Sequence, residues 1–216
     1  MRTRSATPTS PRTAIPWPWA RRATYGRAMT SPTPHVPVAS AGIPAPVLVV
    51  TGGMASGKST VADALARTFP LAAHVRGDLF RRFVVSGQAS MAPPLSVEAR
   101  AQLDLRQELA AQAADTYAAA GVLAVVQDIL LGPDLGRFTA RVRTRPCYAV
   151  VLTPDAATLA ARDAARHKQG YGDWTPDEFA AAARETPGGL HLDTTGWTVE
   201  ETVRQVLDRL DEARVA

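Results

Sequence analysis

Cysteine is almost missing from this 216-residue sequence: Cys147 stands alone. No intrachain disulfide can form, a thiolate metal site has no second ligand, and nothing points to an oxidising compartment, so the expected location is cytoplasmic. Long apolar runs are missing too. The aliphatic stretches at 47–50 and 122–126 fall far short of the roughly 20 residues that cross a bilayer, so no membrane association is expected. The four histidines, at 35, 74, 167 and 191, lack metal-ligand spacing, which argues against a zinc site. No G-x-S-x-G elbow is present to suggest acyl transfer.

Acidic residues are absent from positions 1–45, where six arginines make the net charge +6; the rest of the chain holds 18 basic and 20 acidic side chains, a net −2. The overall excess of +4 therefore belongs to the N-terminal stretch. A nearly neutral remainder lacks the basic footprint of a protein that grips a phosphate backbone, and a nucleic-acid partner is not expected. Residues 1–45 are rich in Pro, Arg, Ser and Thr without helix or strand periodicity, and read as a disordered tail. Arg21 and Arg22 are not followed by the apolar run of an export signal. Met29 is an alternative translation start.

From residue 46 to 216 the pattern changes to short aliphatic runs alternating with amphipathic segments, which predicts one α/β domain with a parallel sheet covered by helices. Strands are expected at 47–51, 73–76, 122–127, 147–152 and 190–193. Helices are expected at 58–68, 78–85, 97–119, 133–143, 154–166, 176–184 and 199–213. Thr153-Pro154 reads as an N-cap followed by proline at the first helical position. Thr175 with Glu178 and Thr198 with Glu201 read as capping boxes.

Between the first strand and first helix, Gly52-Gly53-Met54-Ala55-Ser56-Gly57-Lys58-Ser59 satisfies G-x-x-x-x-G-K-[ST] at every fixed position. Glycines let successive N–H groups curl around a phosphate, where the helix N-terminus adds partial positive charge. The expected ligand is ATP with Mg²⁺. Lys58 meets the β- and γ-phosphates, the Ser59 hydroxyl ligates the metal, and Thr60 closes the binding run.

Three further constellations follow. Asp128, after the aliphatic run at 122–126, sits where a carboxylate can hold Mg²⁺ opposite Ser59; a turn or N-cap aspartate is the alternative. Asp78, in Arg76-Gly77-Asp78-Leu79-Phe80-Arg81-Arg82, can take a proton from an attacking hydroxyl, with Arg81 and Arg82 offsetting charge; capping the helix from Leu79 is the alternative. Arg162 and Arg166 share a helix face before Gly170 and Gly172, as a lid would require; a solvated basic face is the alternative. Tyr171 and Trp174 are candidates for the acceptor pocket or for packing.

The run from Thr51 to Thr60, the Asp78 segment and Asp128-Ile129-Leu130-Leu131 resemble the chloramphenicol phosphotransferase-like family, over about residues 46–213. That family belongs to the small P-loop kinases, with gluconate, shikimate and adenylylsulfate kinases and the kinase half of polynucleotide kinase. The resemblance implies a three-layer P-loop NTPase fold, a five-stranded parallel sheet ordered 2-3-1-4-5 with a small helical lid, and transfer of the ATP γ-phosphate to a hydroxyl of a small molecule, an antibiotic among the candidates. It implies Asp78 as general base, Arg81 as the arginine three residues on, and Arg162 and Arg166 as lid arginines. A kinase of a nucleotide, sugar or nucleic-acid end, and a non-catalytic ATP-binding regulatory module, are the competing readings.

Overall fold

The computed structural model describes residues 44–165 and 170–216. The tail expected over 1–45 falls almost wholly outside them, as does Arg166. Five strands, β1 (Val47–Gly52), β2 (Ala72–Arg76), β3 (Leu123–Gln127), β4 (Cys147–Leu152) and β5 (Leu190–Leu192), form one sheet. Their order is β2-β3-β1-β4-β5 and every pairing is parallel, as expected. β1 is central: Val47 to Val50 lie opposite Ala124 to Gln127 on one side, and Val47 to Gly52 opposite Cys147 to Leu152 on the other. Each residue of β1, β3 and β4 is buried, which is why these strands read as unbroken aliphatic runs instead of alternating ones.

Seven α-helices lie among the described residues: α1 (Lys58–Thr68), α2 (Gly77–Arg82), α3 (Val97–Ala119), α4 (Pro133–Arg141), α5 (Ala156–Ala164), α6 (Pro176–Arg184) and, after β5, α7 (Val199–Asp208), with a 3₁₀ turn at Leu210–Ala213. Alternate strand residues face opposite layers. Val47 and Val49 join Val126, Ala149 and Val151 in a cluster with Phe138, Leu135 and the alanines at 110, 111, 114 and 118. The alanine stripe lets the 23-residue α3 lie close on the sheet, and Phe138 of α4 fills the space beside it. α1 packs against β1, β2 and β3 and against α7. α5 and α6 pack on one another in the expected lid region; residues 166–169 between them are not among those described.

Helix starts follow the expected chemistry with two differences. Both capping boxes form, Thr175 with Glu178 and Thr198 with Glu201. At α5, however, Asp155 is the cap: its carboxylate accepts from the Thr158 amide at 2.7 Å, so the helix begins two residues later than the Thr153-Pro154 reading. A carboxylate in the N-cap position also meets the positive end of the helix, an advantage Thr153 lacks. α2 begins at Gly77 with no side-chain cap, which removes the capping alternative for Asp78. No helix among the described residues is long and apolar enough to cross a membrane.

Candidate functional site: a phosphate cradle at the sheet's carboxyl edge

β1 runs directly into the loop 52–57, and the loop's shape follows from what a side chain would meet there. Gly52 has φ +152°, and a Cβ on it would fall 2.8 Å from the Leu152 carbonyl oxygen. A Cβ on Gly53 would fall 2.8 Å from Phe179 Cβ. Gly57, at φ +91°, turns the chain into α1, and Ala55 also adopts positive φ. No side chain caps α1, and a helix start of this kind is where an anion is favoured. Lys58 folds back across the loop, its Nζ donating to the Gly53 carbonyl at 3.0 Å, and is largely buried. Ser59 and Thr60 open the helix beside it, Thr60 exposed. A triphosphate fits this cradle: backbone amides, a lysine at its rim and a hydroxyl for a metal are what its charge requires.

Next to the cradle lies a cleft of about 340 Å³, lined on one side by Ala55, Gly57 and Thr60 and on the other by Arg162, Thr194 and Trp197. Arg162 is fixed there. Its Nη1 donates to the Ser56 carbonyl and its Nη2 to the Thr194 carbonyl, each at 3.2 Å. In this structure Arg162 braces the phosphate loop against the β5–α7 connection and forms a wall of the cleft.

On the opposite side, Asp78 lies in the first turn of α2. Its Oδ2 accepts from Arg76 Nη2 at 3.2 Å and lies 3.7 Å from Arg82 Nη2, while its buried Oδ1 has no partner among the described residues. Asp78 is the residue expected as proton acceptor, and its side chain is 35% exposed. Arg81 points elsewhere: its Nη2 donates to the Ala89 carbonyl at 2.7 Å and holds the loop that follows α2.

Asp128 follows β3 as expected, but its surroundings differ from those of a metal ligand. It is 1% exposed, and Arg106 of α3 grips it with two donors, Nε to Oδ2 at 3.0 Å and Nη2 to Oδ1. Oδ1 also accepts the Ile129 amide at 2.7 Å. Burial holds the carboxyl above its ordinary value, and Arg106, the Ile129 amide and Lys58 offset only part of that. With both oxygens engaged, metal binding by Asp128 would have to displace Arg106. No cluster of three or more His, Cys, Asp or Glu side chains exists among the described residues, so a hard cation here would rely on substrate phosphates and water for the rest of its shell.

Sequence reasoning did not find Arg106, because its partner lies 22 residues away on another element. One signal was available: a buried acid at the end of a central strand needs a cation, and α3 supplies only Arg100 and Arg106. Arg100 is taken by Asp134 at 2.6 Å. Tyr171 and Trp174, read as pocket or packing residues, turn out to pack with Phe179 beneath the phosphate loop.

Comparisons with known proteins agree with this geometry. A sequence comparison with curated proteins finds no match. Among solved structures, the chain is similar to a sugar kinase from Janibacter sp. HTCC2649, with TM-score 0.58 and 21% identity over 79% of this chain and 96% of that one. It is also similar to the APS kinase from Mycobacterium tuberculosis in complex with AMPPNP and APS, with TM-score 0.56 and 20% identity over 79% and 99%. A third similarity is to a chain of the Pnkp1/Rnl/Hen1 RNA repair complex, with TM-score 0.50 and 16% identity over 80% and 48%. At these identities what is shared is the fold. It does not single out the chloramphenicol phosphotransferase-like group, and it gives no support to the expectation against a nucleic-acid partner, which rested on charge alone. The family model described as AAA domain matches residues 47–185, from the first strand through the phosphate cradle to α6, and the chain belongs to that family, on a P-loop kinase α/β fold.

Proposed function

We propose that this protein is an ATP-dependent phosphotransferase that moves the γ-phosphate to a hydroxyl of a small molecule. The observation that carries the reading is the placement of two groups: a phosphate cradle closed by Lys58 after β1, and a partly exposed Asp78 carboxylate in the first turn of α2. The loop amides and Lys58 hold the phosphates, and the cleft beside Arg162 and Trp197 takes the base and ribose. Bound Mg²⁺ would neutralise charge on the β- and γ-oxygens, with Ser59 among its ligands.

The Asp78 carboxylate takes the proton of the acceptor hydroxyl as that hydroxyl oxygen bonds to the γ-phosphorus and the bond to the β–γ bridging oxygen breaks, leaving ADP. Arg76, which donates to Asp78 Oδ2, keeps that carboxylate oriented. Most of the acceleration comes from positioning and charge stabilisation, as expected for a loose transition state. Arg162 acts as a brace and cleft wall, and Arg81 through the loop it holds.

The acceptor is a hydroxylated metabolite such as a sugar, nucleoside or antibiotic. A panel of these compounds, assayed for stimulated ADP release, tests the proposal. A kinase consumes ATP faster when its acceptor is added, whereas a regulatory ATP-binding module holds ATP without turnover. Asp78→Asn should bind ATP with unchanged affinity and lose transfer; full activity in that variant removes Asp78 from the mechanism.

A further inference from the structure

Fourteen residues, 83–96, join α2 to α3 without helix or strand. They leave the Asp78 helix on the acceptor side of the site, and side chains hold them in place. Gln102 spans the loop, donating to the Gly87 carbonyl at 2.8 Å and accepting the Ala89 amide at 3.0 Å. Arg81 donates to the Ala89 carbonyl, and Gln88 reaches back to the Arg81 carbonyl at 2.9 Å. These clamps come from the loop itself and the two helices it joins. Trp174 comes from the other half of the domain: its indole Nε1 donates to the Met91 carbonyl at 3.0 Å, across 83 residues of sequence.

The far side of Trp174 leads back to the phosphate cradle. Its ring packs on Phe179 at a centroid distance of 5.7 Å, and Phe179 packs on Tyr171 at 5.8 Å. Phe179 Cβ sits where a side chain on Gly53 would be. The Tyr171 hydroxyl donates to the Met54 carbonyl at 2.8 Å, and the Trp174 amide donates to the Tyr171 carbonyl at 2.9 Å. Gly53 and Met54 both belong to the cradle. An unbroken series of contacts therefore runs from the phosphate loop through Phe179 and Tyr171 to Trp174 and on to Met91.

We infer that Trp174 is a positioning residue that ties the acceptor-side loop to the phosphate loop, so that nucleotide in the cradle stabilises residues 86–96. The inference rests on the nucleotide-binding part of the proposed function. Fixing Gly53 and Met54 on a triphosphate fixes the aromatic set packed on them, and a fixed indole presents its N–H to Met91 more of the time. By linkage, whatever orders 86–96 tightens nucleotide binding by the same factor.

Hydrogen exchange on the full-length protein, with and without magnesium and the non-hydrolysable analogue AMPPNP, tests this. In the wild type, AMPPNP should slow exchange in peptides covering 50–60 and also in those covering 86–96. Trp174→Phe keeps a ring against Phe179 and removes the N–H. It should keep protection at 50–60 while losing about fivefold of the AMPPNP-dependent slowing at 86–96, the effect of one hydrogen bond, and by the same linkage bind AMPPNP up to about fivefold more weakly. Should Trp174→Phe fold poorly, Phe179→Leu interrupts the same path at the ring contact and should give the same selective loss. Equal protection of 86–96 in wild type and variant, or none in wild type while 50–60 is protected, overturns the inference. Absence of protection at 50–60 removes the nucleotide reading, and this inference with it.

Discussion

Gly77 and Asp128 touch so closely that a Cβ on Gly77 would stand 2.1 Å from Asp128 Oδ2. The contact joins the two acids of the site: Gly77 immediately precedes Asp78, and Asp128 is locked by Arg106. The end of β3 thereby sets where α2 begins, and with it where the Asp78 carboxylate lies. Gly77→Ala must push apart a buried carboxylate and a helix start. It should destabilise the fold by about 1–3 kcal/mol and lower transfer more than nucleotide affinity, as read by thermal denaturation beside a binding titration.

Arg106 and Asp128 form a pair with side chains 12% and 2% exposed. Removing one partner of such a pair leaves a buried charge without compensation, at about 3–5 kcal/mol. Arg106→Met should therefore lower the denaturation midpoint sharply, and adding Asp128→Leu should recover most of the loss. A double-mutant cycle in urea measures the coupling. Additive effects would show that the pair is not a unit.

Asp115 and Asp134 govern the acid limb. Burial acts upward on Asp115, but the Thr144 and Arg143 amides and side chains outweigh it and hold the carboxyl below its ordinary value. Burial likewise acts upward on Asp134, and Arg100 and Arg137 outweigh it. A carboxyl lowered by folding adds stability above its unfolded pKa, about 3.9, and that stability is lost as pH falls through the folded value. Stability measured from pH 7 downward should keep the full contribution of these groups, with little change, until about pH 4, and then fall. Asp115→Asn should be less stable at neutral pH and show a shallower acid slope.

Cys147 is fully buried in β4, and burial pushes its thiol up to about 11. It is neither nucleophile nor ligand in this fold. A thiol reagent at pH 7 should label it only at the rate of unfolding, and Cys147→Ala should leave ATP turnover unchanged.

The sequence disclosed what is local and hid what is long-range. β1, the glycine loop and α1 were legible because strand, loop motif and helix follow one another directly in the chain, even though Gly52 and Gly53 also answer the distant Leu152 carbonyl and Phe179, and the strand order came with the resemblance those residues carry. The α5 start was misplaced by two residues because Thr153-Pro154 and Asp155 both satisfy local rules, and only the bond to the Thr158 amide decides between them. Arg81 carries the residue type for phosphate chemistry, yet its guanidinium is used by a loop carbonyl eight residues on. Arg106 on Asp128 and Trp174 on Met91 were illegible for a single reason: their partners are brought near by the sheet order and not by spacing along the chain.

Everything chemical here depends on the loop from Gly52 to Ser59 holding a nucleotide triphosphate. Calorimetric titration of the protein with magnesium and AMPPNP, beside Lys58→Ala, tests this most directly. One molecule should bind per chain, and the variant, which loses a point charge from the cradle rim, should bind at least about tenfold more weakly while melting at a similar temperature. No binding to the wild type, or undiminished affinity in Lys58→Ala, would contradict it.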